Sequence, residues 1–126
     1  MIGTDIIDKR RIAVLWQKYG RRLAEKVLHP MEFEQFALQK DPVRFLAMRW
    51  AAKEALGKSL GIGVRAPLTM PAICITKNKF GAPIVVDTDV VCTIKKTQGI
   101  DNIHLSLSDE RNYAVAFVWC EQKKSD

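Results

Sequence analysis

Three observations predict an α+β domain. Helical periodicities fall between residues 11 and 60, strand-like patterns fall at the start and in the last third, and no repeat, linker or low-complexity segment separates them. The 126 residues therefore make one domain, 1–126, of a size that buries roughly two-thirds of its unfolded surface. Helices gathered early are expected to pack on a mostly antiparallel sheet that the N-terminal strand completes.

The elements follow in order. Residues 2–8 are short and β-branched and read as a strand in which Asp5 interrupts an apolar pattern. From Arg11, the residues Ile12, Trp16, Tyr19, Leu23 and Val27 recur at helical spacing, with Gly20 as a point where the helix can break. Arg11, Lys18 and Arg22 then line a neighbouring face. Pro30 opens a short helix carrying Phe33, Phe36 and Ala37, and Asp41-Pro42 starts a longer one that stops at Gly61. Residues 73–76 and 84–87 flank a turn at 77–82 and read as a hairpin. Thr88 caps a helix that ends before Gly99. Ile103, Leu105 and Leu107 alternate with His104, Ser106 and Ser108, which gives a strand with one apolar face. Tyr113 to Cys120 is a more uniformly apolar strand.

The formal net charge of +6 directs attention to anionic partners. Lys9, Arg10, Arg11, Lys18, Arg21, Arg22 and Lys26 lie within eighteen residues that hold a single acid, Glu25. Cys74, Cys92 and Cys120 are odd in number and far apart, so they form neither a disulfide framework nor a C-x-x-C motif. A reducing, cytoplasmic setting is expected. The sequence shows no signal peptide and no apolar stretch near the ~20 residues of a membrane span, so no membrane partner is expected.

The chemistry-bearing segment is Arg49-Trp50-Ala51-Ala52-Lys53-Glu54-Ala55-Leu56-Gly57-Lys58. Glu54 and Lys58 share a helix face, where an isolated pair would be a surface ion pair worth ~0.2 to 0.5 kcal/mol. Arg49 and Lys53 repel at the same spacing, and an anion between them would relieve the repulsion. The cluster therefore resembles a site for a phosphorylated ligand and a cation, with a merely basic helix as the alternative. Mg2+ takes oxygen ligands, keeps several waters and uses one or two carboxylates plus substrate phosphates, so Asp5 and Glu54 suffice. Without Glu54 nearby, Asp5 would merely cap a turn.

Two other patterns fail as motifs. Ala52 to Ser59 matches a relaxed P-loop, but that motif needs a glycine-rich loop between strand and helix, and these residues are helix formers inside a helix. His104, Ser106 and Asp109 share a strand face and its turn, yet no G-x-S-x-G elbow surrounds a serine. Trp16, Tyr19, Met31, Phe33 and Phe36 are expected in the core.

Taken together, Gly3-Thr4-Asp5-Ile6 with Arg11, then Arg49 to Lys58, Gly61-x-Gly63, Gly81-x-Pro83, His104-x-Ser106 and Glu110-x-x-Tyr113-Ala114 resemble the holo-acyl-carrier-protein synthases, small phosphopantetheinyl transferases. The likeness covers nearly the whole chain. It implies a homotrimer with coenzyme A clefts between subunits, Mg2+ on Asp5 and Glu54, and catalysis by these two with Lys58 near the pyrophosphate. Arg49 and His104 match cleft residues that contact coenzyme A from the adjoining subunit, with Lys58, Gly61, Gly63 and Ser106 completing the coenzyme site. Arg11, Lys18, Arg21 and Arg22 are the implied docking residues for an acidic carrier protein. Where the family commonly has Gly-Thr-Gly, this chain has Gly61-Ile62-Gly63, which removes a hydroxyl.

The implied reaction is attack of a carrier serine on the pantetheine-side phosphorus of coenzyme A, releasing adenosine 3',5'-bisphosphate. Glu54, a metal-bound water and a carrier group stay open as the base. The rival class is a basic non-catalytic domain that binds an acidic protein or nucleic acid. No nucleic-acid motif and no aromatic residues interleaved with the basic run support the nucleic-acid half of that rival, so no nucleic-acid partner is expected.

Overall fold

The computed structural model describes residues 1–124. Strand β1 (Ile2–Asp8) runs directly into helix α1 (Lys9–Tyr19). Asp8 marks the change by accepting a hydrogen bond from the Arg10 amide at 2.9 Å, the N-cap role of a short acid. Gly20 has φ +54°, a conformation that side chains with a Cβ resist, and helix α2 (Arg21–Val27) starts beyond it. The expected basic stripe is therefore divided: Arg11 and Lys18 belong to α1, Arg22 to α2.

A 3-10 turn at Pro30–Glu32 leads to α3 (Phe33–Ala37) and then to α4 (Pro42–Ser59), which Asp41 caps through the Arg44 amide at 3.0 Å. The hairpin strands β2 (Ile75–Lys77) and β3 (Pro83–Val85) are shorter than the sequence pattern implied. Helix α5 (Asp89–Gln98) begins at the Thr88 cap and ends at Gly99, whose φ is +67°. Strands β4 (Ile100–Asp109) and β5 (Tyr113–Gln122) complete the chain.

The main sheet has the order β1-β5-β4 with every pair antiparallel, and β2-β3 forms a separate ribbon. Gly3 pairs with Val118, Asp5 with Ala116 and Ile7 with Ala114, which sets Asp5 on the face that packs against α4. Helix α4 is buried on nearly every side, between this sheet face and helices α1 and α2. Its apolar residues Phe45, Leu46, Ala51, Ala55 and Leu56 join Ile12, Leu23, Val27 and Val118 in the core. No helix among the described residues is long and apolar enough to cross a membrane.

Two expectations fail at the surface. Tyr19 is 42% and Met31 62% exposed, so neither is core, although Trp16, Phe33 and Phe36 pack against it. Strand β5 looked uniformly apolar, yet only one face of it is covered. Ala114, Ala116, Val118 and Cys120 are buried, while Val115, Phe117 and Trp119 are exposed beside Ile2 and Ile6 of β1. The cysteines of the chain are free thiols, with Cys74 and Cys120 buried and Cys92 exposed.

Candidate active site

The site begins with a close approach of β1 to α4. A Cβ on Gly3 would lie 2.5 Å from the Ser59 amide nitrogen and collide with the Ala55 carbonyl, so only glycine lets the strand settle on the helix. One residue pair further along β1, Asp5 reaches the same helix face. Lys58 Nζ donates to the Thr4 carbonyl and to Asp5 Oδ1, each at 3.0 Å. Burial and then the charge of Asp5 push the Glu54 carboxyl above its ordinary range, with Lys58 opposing them. Two carboxylates remote in sequence therefore lie close enough for their charges to repel, beside one ammonium. Such a hard, like-charged oxygen pair fits a divalent cation with substrate and water completing the shell. No cluster of three or more His, Cys, Asp or Glu side chains suited to a metal exists among the described residues.

Past Lys58 the chain turns through Gly61 and Gly63, with φ +74° and +72°. The Gly63 amide donates to the Gly57 carbonyl at 3.1 Å, which folds the loop back over the end of α4. Ile62 between them is partly buried against the core. The P-loop reading is closed by the same geometry, since residues 52–59 lie inside α4 with their amides in helical bonds.

The anion between Arg49 and Lys53 is internal, which corrects the expectation of a ligand there. Glu32, fully buried, sends Oε1 to Lys53 Nζ at 2.5 Å and to the His29 amide at 2.8 Å. Its Oε2 accepts from the Ile75 amide at 3.2 Å and lies 3.2 Å from Arg49 Nε. That Nε makes no aligned hydrogen bond, so its contact with Glu32 is ionic. Lys53 also donates to the Val27 and Met70 carbonyls, which removes it from any ligand set. Burial lowers the proton affinity of both Arg49 and Lys53, and Glu32 opposes it.

Arg49 nonetheless reaches the surface of a cleft. A cavity of about 520 Å³ is lined by Arg44, Arg49, Lys77, Gly81, Pro83 and Leu107, among others. Three cations in one cleft, Arg44 shared with Asp109 and Arg49 with Glu32, still leave it net positive and favour an anionic ligand. The sequence reading had not selected Arg44, Lys77 or Glu32. The only local signal for Glu32 was its place three residues after His29, where it closes a capping box.

His104 and Ser106 lie elsewhere. They alternate with Ile103, Leu105 and Leu107 and so project from the sheet face opposite Asp5. His104 stacks on Trp119 with ring centroids 4.7 Å apart and bonds Glu121 through Nε2 at 3.0 Å. Within one subunit the sheet separates these residues from Glu54 and Lys58. Asp109 belongs to the α4 side, where Lys9 at 2.6 Å and Arg44 at 2.8 Å hold its carboxyl down to about 2. Asp109 is the last residue of the strand on its other face, so the three do not form one group.

Arg11, Lys18, Arg21 and Arg22 are all exposed. Arg21 pairs with Glu25 at 3.3 Å and lies over the Phe33 ring, and Lys18 lies over the Tyr19 ring. Arg22 and Lys26 border a groove of about 330 Å³ with an apolar lining of Leu15, Tyr19, Trp50 and Met70.

Residues 1–118 match the family described as the 4'-phosphopantetheinyl transferase superfamily. A holo-[acyl-carrier-protein] synthase of Dechloromonas aromatica is 44% identical over 95% of both chains. The crystal structure of holo-[acyl-carrier-protein] synthase from Neisseria meningitidis superposes with a TM-score of 0.91 at 37% identity, covering 96% of this chain and 97% of that one. The Helicobacter pylori holo-[acyl-carrier-protein] synthase in complex with coenzyme A gives 0.83 at 27% identity, covering 96% of this chain and 100% of that one.

Proposed function

The chain belongs to the 4'-phosphopantetheinyl transferase superfamily, an enzyme family, and from that premise we propose that it transfers phosphopantetheine from coenzyme A to a serine of an apo acyl carrier protein. The observation that carries this reading is the close pair Asp5 and Glu54 beside Lys58, an arrangement that a non-catalytic docking domain has no use for. Its relatives bear the name of this activity, and a structural neighbour holds coenzyme A.

In the proposed reaction the serine oxygen forms a bond to the pantetheine-side phosphorus, and the bond to the bridging pyrophosphate oxygen breaks. Adenosine 3',5'-bisphosphate leaves with that oxygen, and the serine proton passes to a base, for which Glu54, water and a carrier group are the candidates. Asp5 and Glu54 would hold Mg2+, which when bound supplies charge neutralisation at the pyrophosphate. Lys58 lies next to the pair and offsets the charge that grows on the leaving phosphate. Arg44, Arg49 and Lys77 supply fixed positive charge to the anionic coenzyme in the cleft, and catalysis of this kind rests mainly on positioning. Gly61 and Gly63 keep the loop beside Lys58 in a conformation that allows close backbone approach.

A homotrimer completes the site. The exposed apolar face of Ile2, Ile6, Val115, Phe117 and Trp119 supports burial against other copies, since a patch of this kind on a soluble chain marks an interface. His104 and Ser106 share that face, and assembly would carry them to a neighbour's Asp5 and Glu54, with Arg49 contributed in the same way. The carrier docks on the basic surface of α1 and α2, where Arg11, Lys18, Arg21 and Arg22 steer an acidic partner.

Mass spectrometry of an apo carrier protein incubated with coenzyme A, Mg2+ and this chain tests the whole. A mass gain of one phosphopantetheine on a single serine is the expected result. An unmodified carrier across a panel of acidic carriers overturns the reading.

A further inference from the structure

The buried charges of α4 have a partner that the reaction above does not use. Glu32 stands in the 3-10 turn, seventeen residues before Arg49, and has no exposure at all. Each of its oxygens has two contacts: Lys53 and the His29 amide on Oε1, Arg49 Nε and the Ile75 amide on Oε2. The carboxylate thus joins the 3-10 turn, α4 and β2, and Lys53 extends the network to the Val27 and Met70 carbonyls. A carboxylate with four fixed contacts has little freedom to move.

Arg49 is the one member of this network that reaches the cleft. Glu32 faces its Nε, Gln35 Oε1 accepts from Nη2 at 3.2 Å, and the guanidinium lies over the Phe45 ring at 4.5 Å. An arginine side chain free in solution samples many rotamers, and holding it in one removes that entropy loss from ligand binding. Packing alone would leave the guanidinium able to swing along the Phe45 ring. Contacts at two of its nitrogens, one carboxylate deep in the core and one amide at the cleft wall, fix the direction of the third.

We propose that Glu32 and Gln35 are positioning residues for coenzyme A binding, holding Arg49 so that its guanidinium meets an anionic group of the ligand. This rests on the assignment of the Arg49 cleft to coenzyme A. Neither residue touches ligand in this account. Both act through Arg49, so their loss is felt as coenzyme A affinity rather than as turnover.

The test is a steady-state comparison of Gln35→Ala, Arg49→Ala, the Q35A/R49A double variant and Glu32→Gln, with KM for coenzyme A and kcat measured separately and folding followed by thermal melts. Q35A removes a half-buried contact at the cleft wall and leaves the core charges intact. It is expected to raise KM for coenzyme A about fivefold, the scale of one lost hydrogen bond, with kcat within about twofold. On the R49A background the same change is expected to add nothing, the non-additivity of residues that act as a unit. E32Q sets an amide N–H against donors in either orientation, Arg49 and the Ile75 amide or Lys53 and the His29 amide, and removes the charge opposite Arg49. Its folded fraction is expected to show a KM increase at least as large as that of Q35A.

Three results overturn the proposal. If R49A raises KM while Q35A and folded E32Q leave it at the wild-type value, Arg49 binds the coenzyme unaided. If Q35A still raises KM in the absence of the Arg49 guanidinium, Gln35 acts directly on the ligand. If R49A itself leaves KM unchanged, the cleft assignment has failed and the proposal falls with it. Should E32Q not fold, the Q35A cycle decides alone, since it supports or rejects the positioning role without touching the buried pair.

Discussion

Lys58 Nζ lies 3.0 Å from Asp5 Oδ1, a contact that joins residues 53 positions apart and pins the first strand to the end of the central helix. The same ammonium reaches the Thr4 carbonyl, so the strand is held at two adjacent residues. Glu54, one helical turn before Lys58, places a second acid near this base.

Glu54→Gln is expected to abolish transfer and leave the fold intact. A carboxyl whose proton affinity is raised by folding contributes most below its ordinary value of 4.5 and loses that contribution as pH climbs through the folded value. At neutral pH the ionised Glu54 is therefore a burden on stability, and E54Q should melt no lower than wild type. Added Mg2+ should raise the melting temperature of wild type and not of E54Q. Equal magnesium shifts in both proteins would remove Glu54 from the metal site.

Asp109 behaves in the opposite way. Hydrogen bonds from Arg44 and Lys9 depress its carboxyl to about 2 from 3.8. The resulting stability is fully present above pH ~4 and is lost as pH falls through about 2. Thermal melts from pH 5 to pH 2 should show a steeper decline in wild type than in Asp109→Asn. Parallel curves would mean that the two cations contribute nothing to this carboxylate.

Phe117→Asp tests the exposed sheet face. Phe117 is 45% exposed at the centre of the apolar patch, so a single subunit tolerates a charge there, whereas an interface does not. Analytical ultracentrifugation should show wild-type trimers and F117D monomers, with transfer activity lost alongside assembly. A trimeric F117D with full activity would place the contact elsewhere.

Arg11→Glu and Arg22→Glu are expected to raise KM for the carrier protein several-fold, more at low salt than at high, with KM for coenzyme A unchanged. Both side chains are exposed and neither lines the Arg49 cleft. Unaltered carrier kinetics in both variants would move the docking surface away from α1 and α2.

Much of this fold was readable along the chain because its signals are local. Asp41 and Thr88 cap helices, while Gly20 and Gly99 mark breaks that need positive φ. Asp5, Glu54 and Lys58 were also selectable from sequence, as an acid inside an apolar strand and a charged pair at helical spacing. The fate of Lys53 was not, because a helical lysine between Ala52 and Glu54 reads the same whether it faces solvent or Glu32. Likewise the apolar run of β5 gave no hint that Val115, Phe117 and Trp119 lack cover within the subunit.

The sequence by itself determined the elements and their order, since each depends on neighbours within a few residues. Only the tertiary structure decided how charges pair: buried Glu32 answers Arg49 and Lys53, Asp109 near the surface answers Lys9 and Arg44, and His104 faces away from Asp5. The reason is physical. A buried charge is tolerated only with a partner, and a partner twenty or a hundred residues away is chosen by packing geometry that no local pattern records.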